Sequence, residues 1–196
     1  MNTPLSKILN DFSEGKFVLV LDEHREKEGD FFCLAETVTK EQVNFLFQYA
    51  HGQICVACAP EILNRLALPP MVKNPSDEFG TNFTISVDAA KNITTGVSAS
   101  DRVQTMRILG NPNSAPIDLL RPGHTFPLRA KKPHERWGHT EASVELAKTV
   151  KKFPAIVICE ILNEYGEKAS KEELLALANK FQIATTTLEK LQSLIV

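Results

Sequence analysis

Apolar residues in this chain fall into short runs, and the spacing inside each run separates helices from strands. Leu5, Ile8, Leu9 and Phe12 recur at helical spacing, with Thr3 placed to cap the helix, Pro4 in its first turn and Gly15 to stop it. Phe17 to Leu21 reads as a strand, and so does Phe31 to Ala35 after a charged interval. Lys40 to Ala50 is expected to be a helix, Ile54 to Ala59 a strand and Pro60 to Leu66 a short helix. Pro69 to Gly80, rich in proline and small polar residues, reads as a loop, and Phe83 to Val87 alternates as a strand. Ser98 or Ser100 caps a helix carrying Val103, Met106 and Leu109, which Gly110-Asn111-Pro112 stops. From Ser114 to Trp137 no period is sustained, so that stretch is expected to be an ordered functional loop region. Thr140 to Val150 is a predicted helix, Ala155 to Leu162 a strand, Lys171 to Phe181 an amphipathic helix, Ile183 to Thr187 a strand and Leu188 to Leu194 a last helix.

Strands and helices mix without strict alternation, which predicts an α+β or mixed α/β fold. A length of 196 residues with 43% hydrophobic content suits one core, so a single domain over residues 1–196 is expected. The net charge of -2 gives no whole-molecule field for nucleic acid and leaves only a local patch at Lys131, Lys132 and Arg136. No window approaches the run of about 18 apolar residues that spans a bilayer, and Met1-Asn2-Thr3-Pro4 lacks the features of a secretion signal. The expectation is a cytoplasmic chain whose four cysteines are reduced thiols.

Candidate chemistry starts with Arg25-Glu26-Lys27-Glu28-Gly29-Asp30, five charged side chains between two apolar runs. Alternating charges on a loop ordinarily mean solubility. At the rim of a core, however, crowded acids are costly and suggest a metal or a proton-transfer role. A second cluster, Arg136-Trp137-Gly138-His139-Thr140-Glu141, opens a predicted helix, where free N–H groups, the Thr140 hydroxyl and the forked Arg136 cation suit a phosphate. An ordinary N-cap beside a solvated arginine has the same local spacing. His139 reads as a metal ligand, a general base or a structural histidine. Glu26 plus one imidazole suits Mg2+ or Mn2+ better than a closed zinc site.

Arg121-Pro122-Gly123-His124 sets a histidine among turn formers, projecting into a pocket or satisfied by backbone carbonyls. Thr94 to Arg102 carries hydroxyls and a glycine ahead of a helix, a pattern of anion binding and of capping alike. Cys55 and Cys58 are three apart in a predicted strand and face opposite sides, which argues against a zinc half-site. Cys55 and Cys159 read as small buried residues, with a pocket wall as the other role open to one of them.

Taken in order, the charged interval, Gly52-Gln53-Ile54-Cys55-Val56-Ala57, Leu68-Pro69-Pro70-Met71-Val72, Thr95 to Arg102, Arg121 to His124 and Gly138-His139-Thr140-Glu141-Ala142 resemble the 3,4-dihydroxy-2-butanone 4-phosphate synthases of riboflavin biosynthesis. The resemblance implies a lyase that converts D-ribulose 5-phosphate to L-3,4-dihydroxy-2-butanone 4-phosphate and formate with a divalent ion, normally Mg2+. It implies that Glu26 and His139 hold the metal, and that Arg25, Glu26, Asp30, Glu160 and the run Arg136, Trp137, Gly138, His139 and Thr140 meet the substrate. His124 and Glu160 match essential positions, and Glu28, Asp30 and Cys55 complete the implied catalytic set. A homodimer with its sites near the subunit interface is implied as well. Some family members carry a fused GTP cyclohydrolase II, which is not expected in a chain that stops at Val196.

The chain departs from the family pattern in its less acidic lead-in Leu21-Asp22-Glu23-His24, in a loop between His124 and Arg136 about two residues shorter than usual, and at two further places. Lys27 stands where Asn is usual, and Asn163-Glu164-Tyr165-Gly166-Glu167-Lys168-Ala169-Ser170 replaces the usual Asn-Asp-Asp-Gly-Thr-Met-Ala-Arg. The competing reading is a catalytically weakened homologue that binds a sugar phosphate in a regulatory or scaffolding role. An unrelated Mg2+-dependent sugar-phosphate isomerase is a third, separable by whether formate appears.

Overall fold

The computed structural model describes residues 3–195. Among them the chain runs α1 (Leu5–Ser13), β1 (Val18–Asp22), β2 (Glu28–Leu34), α2 (Lys40–Tyr49), β3 (His51–Cys58), α3 (Pro60–Arg65), β4 (Val87–Ala89) and α4 (Ala99–Leu109). A 3-10 turn (Pro116–Asp118), β5 (Leu119–Arg129), α5 (His139–Thr149), β6 (Ala155–Ile161), α6 (Lys171–Phe181), β7 (Ala184–Thr187) and α7 (Leu188–Ile195) follow. The strands join in one sheet of order β4-β5-β3-β6-β2-β1-β7. β3–β5 and β1–β7 are parallel and the other neighbours antiparallel, which makes the fold the mixed α+β type expected.

The sheet packs different chemistry against its two faces. Side chains alternate along β2, so Gly29 and Phe31 face one side and Glu28, Asp30 and Phe32 the other. On the first side Leu174 of α6 closes over Gly29, where an added Cβ would meet it at 2.9 Å. Phe31 meets Phe17 and Phe45 of α2 with ring centroids 5.4 and 5.6 Å apart, and Phe45 reaches Phe181 of α6 at 4.9 Å. Offset and edge-on aromatic pairs of this kind each add about 1 kcal/mol beyond their burial. On the other side His139, the first residue of α5, stands edge-on to Phe32 at 6.0 Å. One face is thus an aromatic core and the other carries the carboxylates.

Local chemistry explains most helix starts. Thr39 and Gln42 form a capping box on α2, Ser170 and Glu173 form one on α6, and Ser98 caps α4, the first of the two serines proposed. Thr3 does not cap α1: Pro4 holds that position, and the Thr3 hydroxyl accepts from the Thr185 amide at 3.1 Å instead. Two further expectations change. The expected loop region 114–137 contains the eleven-residue strand β5, whose residues 120–122 and 124 are exposed, so apolar alternation is lost there. The strand expected over Phe83 to Val87 begins only at Val87, and Phe83 and Thr84 make isolated bridges to Leu128 and Pro70.

Candidate active site

The charged interval is only partly a loop. Glu28, Gly29 and Asp30 pair with Asp22, Leu21 and Val20 of β1, so Glu28 and Asp30 are strand residues held rigidly beside the core. On the other flank of β2, Asp30 lies opposite Glu160 of β6. The turn itself is tied down by Asp22, whose carboxylate accepts from the backbone N–H groups of His24, Arg25 and Glu26, each at 2.9 Å. β3 completes the floor. Gly52 approaches β6 so closely that a Cβ there would sit 2.1 Å from the Glu160 carbonyl oxygen, beside a register shift between His51 and Ile54. Only glycine permits that approach.

These strands and the start of α5 enclose a cavity of about 320 Å³ lined by Glu26, Glu28, Asp30, Gln53, Cys55, Phe79, Thr81, Phe83, Leu128, Arg136, His139, Thr140, Ile158 and Glu160. The structure therefore brings together Glu26, Glu28, Asp30, Cys55, Arg136, His139, Thr140 and Glu160 of the residues expected from sequence. Arg25 lies on the exposed surface, its guanidinium 5.3 Å from the Phe79 ring centre. Trp137 turns toward α7 and donates its indole N–H to the Leu188 carbonyl at 3.1 Å, while Gly138 is the N-cap of α5. His124 lies outside the cavity lining, half-exposed on β5, with Nδ1 2.7 Å from an Asp88 carboxylate oxygen.

His139 is the electrostatic centre. Its Nε2 lies 3.1 Å from the Val20 carbonyl oxygen, which only accepts, so Nε2 carries a proton and Nδ1 is the free position. Nδ1 faces Glu28 and Asp30 at 3.6 and 3.7 Å, beyond hydrogen-bond length. In a neutral ring that would aim a lone pair at anions, which is repulsive unless a proton or a cation lies between. Burial pulls the His139 pKa down, but Asp30, Glu28 and Glu26 outweigh it and hold it up at about 9.

The acids respond to the same crowding. Burial and the neighbouring Glu28 raise Glu26 to about 7, and burial and Glu28 raise Glu160 to about 7. Burial lifts Asp30 to about 6. Glu28, despite burial, is drawn well below the usual range by His139 and by hydrogen bonding with Glu26.

Arg136 is fixed by a residue that the sequence showed only as an acid near a helix start. Glu141, in the first turn of α5 and fully buried, accepts from Arg136 Nη1 at 2.5 Å and from the Lys131 amide at 3.0 Å. Arg136 Nε donates to the Phe79 carbonyl at 3.0 Å, and Nη2 lies 3.8 Å from Glu26. At Arg136 to Thr140, where the sequence suggests a phosphate cradle, the structure places the start of α5 with no side-chain cap and the Arg136 guanidinium alongside. Gln53 and Thr81 in the cavity wall, and Glu141 as the brace of Arg136, have no signature in the sequence that sets them apart from ordinary polar residues.

A hard divalent ion fits this donor set. Glu26 Oε1, Asp30 Oδ1 and His139 Nδ1 are all buried without a hydrogen-bond partner, and donor atoms of Glu26, Glu28 and His139 lie within 4.8 Å of one another. Carboxylate oxygens with one imidazole suit Mg2+ or Mn2+. Fold and site together define a mixed-sheet domain whose acid-lined cavity has a place for such an ion.

Comparison with known proteins makes this specific. The model of the 3,4-dihydroxy-2-butanone 4-phosphate synthase family matches residues 6–194, and the chain belongs to that family. It is 44% identical over 94% of its length to the synthase of Neisseria meningitidis serogroup A, of which it spans about half, 52%. It is 47% identical to the synthase of Pasteurella multocida, covering 93% of this chain and 87% of that one. A 3,4-dihydroxy-2-butanone 4-phosphate synthase solved in complex with two magnesium ions superposes with a TM-score of 0.87 at 38% identity, covering 94% of this chain and 93% of that one.

Proposed function

We propose that this chain converts D-ribulose 5-phosphate to L-3,4-dihydroxy-2-butanone 4-phosphate and formate, a step of riboflavin biosynthesis, with Mg2+ or Mn2+ held by Glu26, His139 and Glu28. The observation that carries the reading is the convergence in one cavity of three buried donor atoms that make no hydrogen bond, Glu26 Oε1, Asp30 Oδ1 and His139 Nδ1. Membership of the synthase family and the magnesium in a solved relative support it.

The residues suit the chemistry. A bound ion would stabilise the negative charge that develops on the sugar oxygens when a proton leaves carbon. Glu160, raised to about 7 by burial and Glu28, exchanges protons close to neutral pH, where a general acid or base works best. Arg136 and the open N–H groups of α5 are placed for the phosphate. Phe79, Phe83 and Leu128 give the cavity an apolar wall. The weakened-homologue reading is not favoured, since Glu26, Glu28, Asp30, His139 and Glu160 all face one cavity.

The proposal extends to a cytoplasmic homodimer of one domain per chain. The exposed side chain of His124, held by Asp88 away from the cavity, supports it: an expected catalytic histidine stands ready to serve a second copy. The described residues include no helix long and apolar enough to cross a membrane.

Formate release from D-ribulose 5-phosphate, measured with Mg2+ and with chelator, tests the reaction, and sedimentation tests the dimer. Metal-dependent formate that Glu26→Gln or His139→Ala abolishes, with the fold intact by circular dichroism, is the expected result. Substrate binding without formate would refute the synthase reading.

A further inference from the structure

The turn that presents Glu26 has an anchor at each end, and the second comes from far along the chain. Asp22 gathers the amides of His24, Arg25 and Glu26. The next residue, Lys27, has φ 53°, a left-handed conformation that crowds a Cβ and is adopted readily by glycine and, among other residues, most often by asparagine. The carbonyl of Glu26 belongs to the same peptide plane as the Lys27 N–H, so relaxing Lys27 toward negative φ swings that carbonyl away. Lys168 Nζ donates to it at 2.7 Å, across 142 residues of sequence.

Lys168 is itself well placed. The Asn163 amide donates to the Glu167 carbonyl at 2.7 Å, and the Asn163 side-chain oxygen accepts from Tyr165 and Glu167 amides, each at 3.0 Å. Leu162 and Lys168 form an antiparallel bridge, and Gly166 at φ 78° makes the reversal between them. The result is a small closed turn that delivers one ammonium to one carbonyl. Both lysines stand where the sequence breaks with the synthase pattern.

We infer that Lys168 is a positioning residue: by binding the Glu26 carbonyl it holds Lys27 in the left-handed conformation and so fixes where Glu26 presents its carboxylate. An isolated surface contact of an ammonium contributes little. Here, however, the bond opposes a specific backbone relaxation, so its loss is felt as a change of turn conformation. The consequence for a bound cation rests on the metal reading above; the latch does not.

Two measurements on the full chain test it, using Lys168→Met, Lys168→Arg, Lys27→Asn and the double variant Lys27→Asn/Lys168→Met. Hydrogen exchange follows the His24 to Glu26 amides in chelator, and calorimetry follows Mn2+ binding. Lys168→Met is expected to speed exchange and weaken Mn2+ binding, each about three- to tenfold, the range for one charged hydrogen bond that is partly solvated. Lys168→Arg keeps a donor and should retain most of both. Lys27→Asn tolerates the left-handed conformation and should restore most of the loss in the double variant. Exchange in Lys168→Met equal to wild type overturns the latch, and failure of Lys27→Asn to rescue overturns its link to Lys27. Wild-type protein whose Mn2+ uptake is absent, or unaffected by Glu26→Gln, overturns the metal reading instead and leaves exchange to judge Lys168.

Discussion

Raising the pH of the protein in chelator from 6.5 to 9 removes the proton that Asp30, Glu28 and Glu26 hold on His139. A buried imidazole whose pKa rises from 6.5 to about 9 on folding binds its proton more tightly in the folded chain. The stability it confers is therefore complete below pH 6.5 and lost as pH rises through 9. At 1.36 kcal/mol for each tenfold change, this amounts to roughly 3 kcal/mol. His139 is only 5% exposed, so solvent screens little of it. Asp30, Glu26 and Glu160 are raised to about 6, 7 and 7, and their contributions fall away in the same direction but lower, mostly by pH 7. Between pH 7 and 9 the loss of the His139 proton is the larger contribution, with a smaller remainder from Glu26 and Glu160. For a domain of this size, thermal melts should drop by roughly 6–12 °C between pH 6.5 and 9. His139→Gln should decline less than wild type from pH 7 to 9, and Mn2+ should oppose the decline in wild type because a bound cation takes the place of the proton. A wild-type melt that stays level from pH 7 to 9 in chelator, or one that falls equally in His139→Gln, would falsify the assignment of His139 as the proton held by the acid cluster.

Other consequences are narrower. Glu141→Gln takes from Arg136, nearly buried itself, the closer of its two carboxylate partners, so it should cost about 3 kcal/mol in denaturant unfolding and raise KM for D-ribulose 5-phosphate. An unchanged KM would show that Arg136 is held without it. Gly52→Ala puts a Cβ against the Glu160 carbonyl and should destabilise by about 1–3 kcal/mol while slowing formate release through displaced Glu160; wild-type turnover would mean that β3 and β6 separate freely there.

Elements that satisfy their own ends are legible in the sequence. α6 starts on Ser170 with Glu173 three residues on, and α2 on Thr39 with Gln42, both patterns visible in one dimension. β6, buried at nearly every position, shows as an unbroken apolar run. β5 was hidden by Pro122 and Pro127 and by an exposed first half that erases alternation. In the site, the identities of Glu26, Glu28, Asp30, His139 and Glu160 came from motif and resemblance, and the cavity gathers them. What the residues do to one another was not legible. Glu28 and Asp30 read as loop acids until their pairing with β1 is seen, and Glu141 reads as a helix-start acid until Arg136 and the Lys131 amide are found on it. Lys168 gives no local hint at all, because its partner is a backbone carbonyl 142 residues away.

Asp30 and Glu160 face each other across neighbouring strands near the middle of the sheet, where like charges oppose pairing. The two lie on hydrogen-bonded strands inside the sheet, so splaying the strands to relieve them would cost ladder bonds. Heat resistance and turnover are therefore set against each other at the same two positions. A library screened for thermal tolerance alone should enrich Asp30→Asn and Glu160→Gln, variants that outlast the parent on heating because they have given up its acids. Any programme to harden this protein has to begin away from the sheet centre, at its termini and loops, and keep formate release as a second criterion throughout.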